Sequence, residues 1–442
     1  MRQYVIVGAG AAGVAAAEAI RNHDTTGKIF LLSEEAQGYY TRPGLAYYLT
    51  GELPESQLFP FAPADMRRLG VQQVHARATR IDTQAHRVEL QNDNPLAYDR
   101  LLVATGAAAV PVQLPGRQAE GVVKLDSLDD ANHILRLAQK QREAVVVGGG
   151  ITALEIVEGL VARGVRVHYF LRGDRYWSNV LDETESRIVE HRLKEDKVHI
   201  HFQTELEEIL TKGGRVIGVR TRDGRQIACS IVAVAIGVQP RKKLGVESGL
   251  KAERGLVVDE YLCSSAPDVF AAGDVAQVVD STNGQVTLNT LWGLARDQGR
   301  IAGMNMAGKS TTYSRPVPFN VTRLACLTTT IIGKVGNGED LDLQGIARGD
   351  SETWRQLPDA IAAQAVFDVN RLRLQIVGNG LVGAVVMGDQ TLSQPLQNLI
   401  LNKANIFSIR DRMLQPGAAV ADILAGFWME YRTHAGYSTQ QS

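Results

Sequence analysis

Near its start the chain reads Gly8-Ala9-Gly10-Ala11-Ala12-Gly13, and further on Gly148-Gly149-Gly150-Ile151-Thr152-Ala153. Glycines at this spacing let backbone amides close around a phosphate. The first allows a tight turn. The second removes a Cβ that would strike a pyrophosphate. The third, replaced by Ala153 in the second copy, lets a helix approach its strand closely. The helix N-terminus adds amides and a positive dipole end. An acid at the end of the next strand then accepts from a ribose 2′-hydroxyl. Glu34 takes that place after the first copy, with Glu35 as its solvated neighbour. After the second copy the place holds Leu171, followed by Arg172 and then Arg175. An arginine without the acid suits a 2′-phosphate, so NADPH is favoured over NADH. The competing reading of Arg172 is a solvated charge in a polar loop.

These turns need strands before them and helices after them. Tyr4-Val5-Ile6-Val7 is a short apolar, β-branched run of the kind buried in parallel sheets, and Ala15 to Ile20 reads as a helix. Lys28 to Leu32 is the next strand. Val145-Val146-Val147, a helix from Leu154 to Arg163 and a strand from Val165 to Leu171 repeat the unit. Two dinucleotide folds imply two dinucleotides, the arrangement a flavin–nicotinamide hydride transfer needs. The expected fold class is α/β: two Rossmann-like three-layer domains, for FAD and NAD(P)H, plus a smaller α+β domain at the C-terminus. Residues 1–112 and 239–312 are read as a discontinuous FAD domain, 113–238 as the nicotinamide domain and 313–442 as the C-terminal interface domain.

Between the two folds, Val74-His75-Ala76 and Arg87 to Leu90 suggest a meander ribbon, and Pro111 and Pro115-Gly116 a linker. Arg215 to Arg220, Ile231 to Ile236 and Val269 to Ala272 read as further strands, and Trp292 to Met306 as a helix. Arg315-Pro316-Val317-Pro318 then breaks the pattern. Ala363 to Asp368, Arg371 to Val377 and Leu381 to Met387 look like antiparallel strands, with Asn379-Gly380 as a hairpin turn. Leu396 to Leu401 and Ala418 to Tyr431 look helical. The apolar surplus of this last domain suits a homodimer interface or a surface leaning on the flavin domain.

Bulk composition narrows the function. The 442 residues are 45% hydrophobic and 21% charged, with a formal net charge of −1, so no global field points to nucleic acid or anionic lipid. No run of ~18 apolar residues suggests a membrane span. Met1 directly precedes the first core strand, so no leader is expected, and the three cysteines, Cys229, Cys263 and Cys326, form no CxxC. A cytoplasmic location is expected.

Other residues have two readings each. Arg42, in Tyr39-Tyr40-Thr41-Arg42-Pro43-Gly44, can face phosphate while Pro43 and Gly44 lie against a ring system, or it is a solvated loop arginine. Asp274, just past a buried strand, can accept from a ligand hydroxyl or cap the next helix. His199 and His201 share one strand face; no Asp or Cys completes a metal set, so a polar strand face is preferred. Arg241-Lys242-Lys243 reads as a solvated loop, or as a run that steers an acidic redox partner.

Taken together the chain resembles the pyridine-nucleotide–disulfide oxidoreductase superfamily. Within it, the chain looks like the branch of rubredoxin reductases, ferredoxin reductases, NADH oxidases and the flavin portion of nitrite reductases. The resemblance is carried by the two glycine motifs, Tyr40-Thr41-Arg42-Pro43, Tyr98 to Gly106, Ala271-Ala272-Gly273-Asp274, Gln298 to Gly308 and Leu381 to Asp389. It implies that Gly8, Gly10, Gly13 and Glu34 hold the ADP half of FAD and that Arg42 faces its phosphates. Thr105 and Gly106 would pass close to the flavin, Asp274 would bind its ribitol or pyrophosphate side, and Trp292 would close over the isoalloxazine. Gly148, Gly150, Glu155 and Gly237 would serve the nicotinamide cofactor. The redox cysteines of the disulfide reductases are missing, and Pro43 stands where the single-cysteine oxidases carry theirs. The expected function is therefore an FAD-dependent NAD(P)H:acceptor oxidoreductase without a cysteine relay. Its acceptor would be a rubredoxin- or ferredoxin-like protein or a small oxidant. Two alternatives stay open: a slow-turnover redox-sensing or assembly protein, and a flavin subunit of a larger reductase.

Overall fold

The computed structural model describes residues 1–279, 284, 286–336, 361–367 and 370–434. Packing divides the described chain into two compact units. One comprises residues 1–174 and 194–315; the other comprises 175–193, 316–336 and the described residues beyond 360.

The first unit holds two five-stranded parallel sheets. In one, the order is Val269–Ala271, Arg100–Val103, Gln3–Val7, Lys28–Ser33 and Val71–His75. The chain leaves Gln3–Val7 toward one edge and later returns on the other side. The strand order therefore reverses at the carboxyl end of Gln3–Val7, the position at which open α/β sheets bind their ligands. Tyr4, Val5 and Ile6 are fully buried on both faces, so this run is continuously apolar rather than alternating. The second sheet repeats the plan as His199–His201, Arg166–Phe170, Glu143–Val147, Ile231–Val234 and Val122–Val123, and its order reverses at Val147.

Val71–His75 is not part of the ribbon expected from sequence. It joins the parallel sheet as its edge strand, with Ile29 opposite Val71 and Leu32 opposite Val74. Val71 and the half-buried Val74, on opposite faces of the strand, both pack against the core cluster, and that burial decides the pairing. The meander is formed instead by Ala78–Asp82, Arg87–Leu90 and Asp93–Ala97.

The helix Ala11–His23 packs along the helix Trp292–Met306 at backbone contact. A Cβ on Gly299 would lie 2.0 Å from the Ala12 carbonyl oxygen, and one on Gly303 2.4 Å from that of Ala16. Small residues at i and i+4 on both helices make this approach possible. Any larger residue at Gly299 would push the two helices apart.

In the second unit, Phe319–Leu324, Leu327–Gly333, Gly380–Met387, Asn370–Val377 and Ile361–Phe367 form an antiparallel sheet in that order. The helices Ser393–Leu401, Phe407–Met413 and Val420–His434 complete it. The hairpin turn falls on Gly378-Asn379, one residue earlier than expected, because Val377 pairs with Gly380 and Gly378 takes the positive φ of 57°. Asp368, expected in a strand, lies outside the described residues. Residues 175–193 carry Asp182 and Glu185, which meet the buried Arg371 and Arg373 of this sheet. Arg373 Nε donates to Glu185 Oε1 at 2.8 Å, and its Nη2 donates to Glu185 Oε2 at 3.0 Å. Every one of these four side chains is at least three-quarters buried, so the ion pairs hold only as a mutually satisfied set.

Candidate functional site

The three glycines of the first turn have different physical reasons. Gly8 has φ +119°, its N–H donates to the Leu32 carbonyl at 2.9 Å, and a Cβ would lie 2.2 Å from the Ala104 carbonyl oxygen. A Cβ on Gly13 would lie 1.9 Å from the Gly8 oxygen. Both are demanded by the fold itself. Gly10 is not: its φ of −85° is open to any residue, and an added Cβ would meet no protein atom within 4 Å. It faces open space at the head of Ala11–His23, whose first turn has neither a side-chain cap nor an acid. First-turn amides have no partner within their helix, which leaves this end suited to an anion.

One expected motif reaches that helix start. Gly273, with φ +79°, sits so close that its Cβ would lie 3.0 Å from Cβ of Ala12, and its N–H donates to Gln298 Oε1 at 2.8 Å. The half-buried Asp274 follows it. Trp292 opens the neighbouring helix, 43% exposed, with the Arg296 guanidinium 5.2 Å above its ring. Arg296 in turn reaches Glu18 at 3.2 Å. Pro43 is exposed, and Gly44 is pressed against Leu58.

The two strand-end acids are placed differently. Glu34 is solvent-facing, with a long 3.8 Å pairing to Arg77 as its one ion pair among the described residues. Glu35 is the engaged one: it accepts from the Tyr40 hydroxyl at 2.7 Å and pairs with Arg42. Arg42 also donates to the Asp126 carbonyl, and its guanidinium lies over the Tyr40 ring. The Tyr40 oxygen accepts the Leu128 N–H at 3.0 Å, and burial raises its pKa, keeping it protonated. Glu35, Tyr40 and Arg42 thus form one cluster at the strand end.

The second turn repeats the steric logic. Gly148 has φ +144°, and its Cβ would lie 2.2 Å from the Ala235 oxygen. Gly150 precedes the helix Ile151–Ala162, again without a side-chain cap or a first-turn acid, and Glu155 is half-buried on it. Leu171, at the acid position, is buried, Arg172 is exposed beyond it, and Gly237 has φ +117°. The two nucleotide folds touch through Gly159, whose Cβ would lie 2.7 Å from Leu49 Cβ, and through Arg163 Nε, which donates to the Leu49 carbonyl at 3.0 Å.

His199 and His201 join His168 in an imidazole cluster. His168 Nδ1 and His201 Nε2 are 3.0 Å apart, and His199 stacks on His168. Among the described residues no group of three or more His, Cys, Asp or Glu is placed to hold a metal ion.

Residues 2–299 match the family model described as pyridine nucleotide-disulphide oxidoreductase. The chain belongs to the pyridine nucleotide-disulphide oxidoreductase family. It is an oxidoreductase, and FAD and NAD(P)H are its cofactors. It is 31% identical over 320 residues to a rubredoxin-NAD(+) reductase of Pseudomonas putida, covering 71% of this chain and 82% of that one. A biphenyl dioxygenase system ferredoxin–NAD(+) reductase component of Paraburkholderia xenovorans is 30% identical over 417 residues, 90% of this chain and 98% of the other. In fold it is similar to a solved covalent putidaredoxin reductase–putidaredoxin complex, with a TM-score of 0.83 at 21% identity over 96% and 98% of the two chains.

For an oxidoreductase of this family the thiols matter. Cys229 is buried, and burial pushes its pKa up to about 12; burial likewise raises Cys263 to about 11. Both stay protonated and unreactive near neutrality. Cys326 is exposed, in the second unit. No described helix is long and apolar enough to cross a membrane.

Asp126 and Arg163 carried no sequence signal. Their partners lie dozens of residues away in sequence, at Arg241 and Arg42 for Asp126 and at Leu49 for Arg163. Glu35 was visible only as the neighbour of Glu34; the signal that separates them is Arg42, seven residues on, which reaches back to one and not the other.

Proposed function

We propose that this oxidoreductase passes electrons from NADPH through FAD directly to a small iron–sulfur protein, with no cysteine relay. The observation that carries the reading is the repeated geometry within one unit. Each of two parallel sheets reverses its order beside a glycine turn and an uncapped helix N-terminus, and at Gly10 an added Cβ would meet only open space. Bound FAD supplies the chemistry: it accepts a hydride and releases electrons to an acceptor.

The protein's own residues do the rest. Gly10 admits the pyrophosphate while Gly8 and Gly13 hold the turn that shapes its place, Glu34 receives the ribose, and Arg42, clustered with Glu35 and Tyr40, faces the phosphates. Thr105, Gly106, Pro43, Asp274 and Trp292 line the ring side. Gly148, Gly150, Glu155 and Gly237 hold the nicotinamide cofactor. Arg172 meets its 2′-phosphate, because the buried Leu171 offers a 2′-hydroxyl no acceptor. No general acid or base is required, since orientation and water exclusion suffice. The protonated Cys229 and Cys263 support the direct route, as do relatives named as rubredoxin and ferredoxin reductases. Three cysteines without a disulfide among them suit the cytoplasm.

The test is anaerobic stopped-flow reduction of the purified yellow protein by NADPH and by NADH, followed by a panel of rubredoxins, ferredoxins, quinones and dioxygen. Flavin bleaching within seconds and fast onward transfer to one iron–sulfur protein are expected. Protein that stays colourless with FAD, or an acceptor rate no faster than with dioxygen, refutes the reading.

A further inference from the structure

The chain crosses between its two nucleotide folds twice. It leaves along Ala107–Ala109 and returns along Val238–Pro240, and these segments pair antiparallel for three residues. A ribbon this short, with alanines on one side, is not rigid by itself. Something must set the distance between the cofactor on the second fold and the ring on the first.

Asp126 stands at this crossing. It follows the strand Val122–Val123 of the second sheet, and its side chain is only 2% exposed. Its Oδ2 accepts the Ala109 N–H of the outgoing segment at 3.1 Å and Arg241 Nη2, just past the returning segment, at 3.3 Å; Lys124 Nζ adds a third contact at 3.3 Å. Arg241 is held from the other side as well. Its N–H donates to the Gly106 carbonyl at 2.8 Å, its Nη1 donates to the Thr105 carbonyl at 3.4 Å, and its own carbonyl accepts the Thr105 hydroxyl at 3.0 Å. The Asp126 carbonyl meanwhile receives Arg42. One buried carboxylate therefore ties both crossovers to the second fold and to the Thr105-Gly106 bend of the first. A buried charge is tolerated only where its partners are fixed, so the site resists distortion in every direction.

We infer that Asp126, acting through Arg241, is a positioning residue that sets the reach between the nicotinamide and the flavin ring. The inference rests on the proposed hydride transfer between the two folds. Reacting atoms must come within about 3–3.5 Å, and a misplacement near 1 Å costs on the order of 100-fold in rate. Losing the clamp should therefore slow transfer while leaving each cofactor's own pocket intact.

The experiment uses the purified FAD-loaded protein, with Asp126→Ala and the near-isosteric Asp126→Asn, which keeps the shape should the alanine variant not fold. Anaerobic stopped-flow titration with NADPH should show the limiting rate of flavin reduction falling about 10- to 100-fold, with the half-saturating NADPH concentration changed less than about threefold. Arg241→Ala is measured beside them, and Asp126→Ala/Arg241→Ala should be no slower than the worse of its two single variants, because the pair acts as a unit. Hydrogen exchange should quicken in peptides covering 105–110 and 238–242 while the strands Gln3–Val7 and Glu143–Val147 keep their protection. A wild-type limiting rate in either single variant, a loss confined to half-saturation, additive losses, or unchanged exchange at the crossovers each overturns the inference. A wild-type protein that NADPH does not bleach would instead sink the underlying function.

Discussion

Gly10 and Gly13 sit three residues apart in one motif, yet they should fail in opposite ways when given a methyl group. At Gly13 the new Cβ would lie 1.9 Å from the Gly8 carbonyl oxygen, far inside van der Waals contact, with Cγ2 of Ile6 at 3.2 Å behind it. The strand and helix must part, and overpacking of this kind costs about 1–3 kcal/mol or more. At Gly10 the Cβ meets no protein atom within 4 Å, and φ is −85°. Alanine is the poorer N-cap by up to about 1 kcal/mol, but it offsets roughly 0.4–1 kcal/mol by restricting the unfolded chain. The net effect on the protein without FAD should be below about 1 kcal/mol. With FAD, the same methyl enters the space proposed for the pyrophosphate. A clash of about 1–3 kcal/mol there weakens binding by roughly 5- to 150-fold. Thermal melts over a series of FAD concentrations separate the two, because ligand stabilisation grows with the logarithm of FAD over its dissociation constant. Gly10→Ala should match wild type without FAD and need far more FAD for the same shift in Tm, whereas Gly13→Ala should melt early throughout. Wild-type FAD affinity in Gly10→Ala, or an early melt without FAD, would refute the assignment of this space to the ligand.

Three further outcomes follow from the same structure. Arg373→Met leaves Glu185, which is 0% exposed, buried opposite an apolar side chain, and should lower unfolding stability by about 3–5 kcal/mol; Glu185→Leu added to it should recover most of the loss in denaturant melts. His201 is held down at about 4, first by burial and then by His168, which burial also lowers, while an unfolded histidine titrates near ~6.5. The unfolded chain therefore takes up protons first as the pH falls from about 6.5 toward 4, and stability is lost across that window. His201→Asn should flatten the decline in urea midpoint between pH 7 and pH 5, and an unchanged slope would remove the cluster as its source. Arg172→Glu should cost more catalytic efficiency with NADPH than with NADH; equal losses, or a wild type that prefers NADH, would withdraw the 2′-phosphate contact.

The two glycine turns were legible because their causes are local. Positive φ at Gly8 and Gly148, and the close approach of helix to turn at Gly13, involve residues within one supersecondary unit, so spacing alone exposes them, whereas the crowding of Gly8 by Ala104 and of Gly148 by Ala235 comes from distant strands. The same holds for the apolar runs around Tyr4 and Val145, whose burial on both faces is written as unbroken hydrophobicity. The uncapped helix start at Gly10 and the apolar Leu171 at the acid position belong with them.

What only the tertiary structure decided is which charges meet. Glu35 rather than Glu34 takes Arg42, Asp126 takes Arg241 across 115 residues, and Glu185 takes Arg373 across 188. Val71–His75 entered the parallel sheet because Val71 and Val74, one on each face, found Ile29 and Leu32 beside them. A backbone angle is limited by the atoms bonded nearby, and so it can be inferred from a few letters. A buried ion pair depends on where two distant segments stop in space, and its strength on how much water the rest of the fold removes from between them.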